Sequence, residues 1–74
     1  MKIYIAKTLI EGRHRSQCYV KLSTSKEDIK TYAANQIEVY ADTNDGRVTL
    51  NSEMKWVMVS NDITVTISIE EQEV

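Results

Sequence analysis

A chain of 74 residues with two Gly, no Pro, one Cys, one His and a formal net charge of −2 lies below the usual domain size of roughly 100–150 residues, and it leaves no room for a separate cofactor domain. A single cysteine cannot close an internal disulfide, and one Cys with one His is too few for a structural zinc site, so added stability is expected from a partner or a second copy. At 42% apolar and 27% charged residues the chain is expected to fold, and it has neither the roughly 20 apolar residues of a membrane span nor an uninterrupted signal-peptide core, which sets a cytoplasmic, membrane-free expectation.

Residues 2–10 are rich in strand formers, with Ile3 and Ile5 on the parity expected to face a core and Lys2 and Tyr4 on the other. After Lys7 the register is open: Leu9 continues the first parity, whereas a bulge near Ala6 would turn Ile10 inward. Glu11 to Ser16 reads as a hairpin loop. A second strand follows at 17–23, with Cys18, Val20 and Leu22 expected inward and Gln17, Tyr19 and Lys21 outward. Thr24 with Glu27, or Ser25 with Asp28, can cap a helix. Ile29, Tyr32, Ala33 and then Gln36 or Ile37 form one apolar stripe, which predicts a helix over about 25–36.

From residue 37 the period becomes two, and Ile37, Val39 and Ala41 against Glu38, Tyr40 and Asp42 predict a strand over 37–42. Asp45-Gly46 is a hairpin signal, leading to a strand over 47–51 with Val48 and Leu50 inward. Residues 54–60 are apolar on both parities, so Trp56 and Met58 face outward in one register and into the core in the other. The last strand, 63–70, alternates Ile63, Val65, Ile67 and Ile69 with Thr64, Thr66 and Ser68. Residues 70–74 read as a frayed acidic tail.

The expected fold is therefore α+β: one small domain with an antiparallel or mixed sheet of five to six strands, one helix on one face, and the order ββαββββ. The opening Met1-Lys2-Ile3-Tyr4-Ile5, then Lys7-Thr8-Leu9, a hairpin and a helix, resembles ubiquitin-like β-grasp domains. The resemblance implies a β-grasp-like topology as the alternative. The terminal Glu73-Val74 lacks the diglycine that conjugation needs.

Charge is unevenly distributed. Residues 1–30 hold seven Lys and Arg against three Asp and Glu, while residues 31–74 hold two against eight. Such segregation reads either as complementarity within one sheet or as an acidic field facing a basic partner, with Glu38, Asp42, Asp45, Glu53 and Asp62 as its members.

Chemistry is harder to place. His14 sits between Arg13 and Arg15 with no partner nucleophile marked nearby, and Cys18 falls on the parity expected inward. No phosphate-binding or metal-binding motif occurs, so no enzyme, cofactor or metal is expected. Small chains of this type are common as inhibitors or adaptors encoded by viruses and mobile elements. The expectation is a non-catalytic protein-binding module that contacts a basic protein surface through Tyr40, Asp42, Asp45, Glu53, Trp56 and Met58, with homodimerisation open. The alternative is a small nucleic-acid-binding domain using Arg13, His14 and Arg15 of the hairpin with Tyr4, Tyr19 and Lys21 as a stacking face.

Overall fold

The computed structural model describes residues 1–74 in the order β1 (Lys2–Gly12), β2 (Ser16–Ser23), α1 (Lys26–Thr43), β3 (Arg47–Asn51), β4 (Lys55–Val59) and β5 (Ile63–Glu73). The strands form one sheet in the spatial order β2-β1-β5-β4-β3, and every neighbouring pair is antiparallel. The fold is thus α+β, a small single domain with one helix against a five-stranded sheet. A β-grasp arrangement would pair the first and last strands in parallel, whereas here β1 and β5 run antiparallel over eleven residues each.

The helix is longer than its stripe suggested. Ser25 is the N-cap, and its hydroxyl accepts from the Asp28 N–H at 3.3 Å, which satisfies one of the donors that a first turn leaves without an internal partner. The helix then continues through 37–42, the segment expected to be a strand. Ile37 lies four residues after Ala33 and eight after Ile29, and all three are buried. Tyr40 and Ala41 extend that stripe and pack against the core, while Val39 is exposed. The period-two pattern was coincident with a helical one, and packing against the sheet selected the helix.

Asp45-Gly46 closes this helix and is not a hairpin turn. Asp45 takes the left-handed conformation, with φ 52°, and the Gly46 N–H bonds to the Ala41 carbonyl at 2.8 Å. This is a Schellman-type exit. Gly46 does not need positive φ; it needs the absence of a side chain, because a Cβ there would collide with the Met58 sulfur.

The core lies between α1 and the covered face of the sheet. Ile29, Ala33 and Ile37 of the helix meet Ala6 of β1, Trp56 and Met58 of β4, and Val65, Ile67 and Ile69 of β5. The last strand alternates as expected. In β1 the parity is the reverse of the expected one: Ala6 and Thr8 are buried, and Tyr4 and Ile10 pack against the core without any bulge. Ile3, Ile5 and Leu9 therefore belong to the opposite face. Small side chains at Ala6 and Ala33 let helix and sheet approach closely, which a row of isoleucines would prevent.

Residues 70–73 are strand rather than frayed tail. Lys2 pairs with Glu73 and Ile5 with Glu70 in register. Lys7–Glu70 at 3.0 Å, Lys2–Glu71 at 3.5 Å and the N-terminal ammonium–Glu73 at 3.6 Å form three ion pairs there. That part of the charge asymmetry is internal complementarity, with little stabilisation expected from each exposed pair.

Candidate interaction surface

The residues expected to bind a partner do not converge. Trp56 is 3% and Met58 0% exposed, so both are core residues and the inward register of β4 holds. Tyr40 is half-buried against the core. Asp42 and Asp45 sit together at the exit of α1, but Glu53 lies at the other end, where it lines a shallow cleft of about 520 Å³ with Glu27 and Lys30 of α1. Lys30 and Asp42 are separated by about 18 Å along the helix. Glu53 is therefore separated from Asp42 and Asp45, and the expected acidic field is not continuous across the three.

The nucleic-acid set separates as well. Arg13, His14 and Arg15 are exposed at the β1–β2 connection. Tyr4 and Tyr19 lie on the covered face of the sheet, Tyr4 against the core and Tyr19 opposite buried Thr8. The Lys21 ammonium stands 4.9 Å over the Tyr32 ring of α1, a cation–π contact that fastens β2 to the helix. These side chains form no open stacking face.

Two phenols report this packing. Tyr40 is held above its ordinary value of 10.0, first by desolvation and then by the neighbouring Tyr19 and Tyr32. Tyr4 is raised from the same value by desolvation and then by the Glu71 carboxylate. An acid whose folded pKa is raised favours folding below its unfolded value and loses that contribution as pH climbs through the folded one. Alkaline unfolding should therefore set in above pH 10, and Tyr4→Phe with Tyr40→Phe should flatten that loss in melts followed by circular dichroism. An unchanged slope would show that these phenols are not what burial holds neutral.

The other face of the sheet carries no helix. Cys18, Val20 and Leu22 of β2, expected in the core, are all exposed there, Val20 at 59% and Leu22 at 62%. The reason lies in the register: Thr8 pairs with Tyr19 and Leu9 with Cys18, so once Thr8 turns toward the helix the odd residues of β2 follow it. Val48 pairs with buried Met58, but the ladder slips between Val48 and Leu50. The slip transfers Leu50 to the open face, opposite Val57.

One row, Cys18–Leu9–Thr66–Val57–Leu50, crosses all five strands. Beside it run Val20–Lys7–Ser68–Lys55 and Ser16–Glu11–Thr64–Val59–Arg47. The surface is thus a band about 19 Å across the strands, judged from their spacing, apolar on four strands and interrupted by Thr66 on the central one, with charges of both signs beside it. Doubly apolar β1 and β4 were the available sequence signal, because each puts aliphatic residues on a face that the single helix cannot cover.

No group of three or more His, Cys, Asp or Glu side chains is placed to hold a metal ion, and no helix is long and apolar enough to cross a membrane. Comparison with protein-family models, curated proteins and solved structures finds no match.

Proposed function

We propose that the chain is a non-catalytic protein-binding module of the inhibitor or adaptor type, of the kind viruses and mobile elements encode, and that it engages its partner through the open face of the sheet. The observation that carries this reading is the uncovered row Cys18–Leu9–Thr66–Val57–Leu50. Exposed aliphatic side chains gathered on one face mark protein-interaction sites, and an antiparallel sheet presents them on a backbone that is already ordered, which lowers the ordering cost of binding. Lys7, Lys55 and Arg47 alternate with Glu11 and Glu70 on that face, so the complementary surface is an apolar patch bordered by mixed charge rather than a uniformly basic one.

The test is affinity capture from the source cell with the native chain and with Leu9→Lys/Val57→Lys. Leu9 and Val57 lie outside the buried core, so the variant should keep the native circular dichroism spectrum while losing the captured protein. Retention of the same protein by a folded variant would remove the open face as the contact surface.

The nucleic-acid reading keeps one observation: Arg13, His14 and Arg15 are exposed, and none joins the three ion pairs. It requires salt-sensitive binding to DNA or RNA that Arg13→Ala/Arg15→Ala abolishes. No gel shift at low salt would exclude it.

A further inference from the structure

The two edges of the sheet are not equivalent. β3 is five residues long, begins with Arg47 and is interrupted by the slip between Val48 and Leu50; such features discourage pairing with another chain. β2 has eight residues in unbroken register with β1 and contains no proline. Its one charged residue, Lys21, is drawn onto the covered face over Tyr32. Nothing blunts this edge.

The hairpin tells which backbone groups of β2 are free. The Gly12 N–H bonds to the Arg15 carbonyl at 2.7 Å, and bonded and non-bonded pairs alternate along an antiparallel ladder. Gln17, Tyr19, Lys21 and Ser23 therefore direct their N–H and C=O groups toward β1. Ser16, Cys18, Val20 and Leu22 direct theirs outward.

We propose that this edge pairs with the same edge of a second copy, about a twofold axis through Val20, to make a continuous ten-stranded antiparallel sheet. A twofold axis perpendicular to a sheet keeps each face on its own side, so residues pair only when both lie on one face. Centring on Val20 sets Val20 against Val20 and Cys18 against Leu22 of the second copy on the open face. On the covered face it sets Gln17 against Ser23, and Tyr19 against Lys21 of the second copy. On the open face every apolar residue meets an apolar one, and the outward N–H and C=O groups of Cys18, Val20 and Leu22 become bonded pairs. Centring on Tyr19 would oppose Ser16 to Leu22 and lose that match.

Charge supports the same occupant. The axis brings Arg13 and Arg15 beside the β2–α1 connection of the second copy, where Glu27 and Asp28 outnumber Lys26 in the first turn of the helix. The open faces of both copies remain uncovered and become continuous, so this assembly does not depend on the proposed partner contact.

Sedimentation of the native chain at high micromolar concentration should give twice the 8.5 kDa chain mass, and Val20→Lys, which opposes two like charges on the axis, should return it to one. Register is read separately by oxidation. In a Cys18→Ser background, Val20→Cys should form an intermolecular disulfide, because a bonded pair places Cα atoms about 5.5 Å apart. Leu22→Cys in that background should not, since the two copies of residue 22 then lie about 14 Å apart. A native monomer at that concentration overturns the proposal. So does equal crosslinking at both positions, or a dimer that survives Val20→Lys and is broken by Leu9→Lys/Val57→Lys, which would place the second copy on the open face instead.

Discussion

Trp56→Ala is expected to remove a large share of the folding free energy rather than weaken a partner contact. Trp56 is the largest side chain of the core, 3% exposed, and it pairs with Ile67 across the ladder between β4 and β5. Truncating a buried tryptophan costs about 3–5 kcal/mol, through lost transfer energy and the cavity left behind. A domain of this length has a total stability of roughly 4–11 kcal/mol at the usual per-residue range. The variant should melt at a much lower temperature and unfold at a much lower urea concentration, whereas Leu9→Lys/Val57→Lys should stay close to the native chain. Urea titrations with equal midpoints for native chain and Trp56→Ala would show that the Trp56 side chain contributes nothing to the core.

The contrast between Trp56 and Leu9 shows how far residue patterning could be read. The terminal strand was legible because Val65, Ile67 and Ile69 alternate with Thr64, Thr66 and Ser68, so only one face could be buried. The capping signal before α1 was legible for a similar local reason, since Ser25 serves Asp28 three residues on. β1 and β4 carried no such asymmetry. Each is apolar on both parities, and the choice of face was made by the helix, which takes the small Ala6 and the large Trp56 and Met58 and leaves Ile5, Leu9 and Val57 outside. β2 follows β1 by hydrogen-bond register alone, so one reversed parity displaced Cys18, Val20 and Leu22 together. The candidate interaction surface consists largely of these reversed residues. A single helix over five strands can cover only one face, and the surplus aliphatic side chains then mark the other.

The Asp45-Gly46 pair was misread for a different reason, and its actual role gives the second large effect. Gly46 lies where the chain leaves α1 and enters β3, and a Cβ added there would meet the Met58 sulfur, with the Val59 carbonyl at 3.1 Å and the Ser60 Cβ at 3.2 Å. Methionine is flexible, but Met58 is 0% exposed within a packed core and has no solvent side to move toward. Gly46→Ala should therefore destabilise by about 1–3 kcal/mol, the usual cost of overpacking. Met58→Ala alone should cost about 2–5 kcal/mol as a cavity. Combined, the two changes should cost less than the sum of the singles by at least about 1 kcal/mol, because Met58→Ala removes the atom that the new methyl strikes. Denaturant midpoints of the four chains in this cycle measure the difference. Strict additivity would mean that the strain of Gly46→Ala falls on the backbone at Val59 and Ser60, and that Met58 does not set the requirement for glycine.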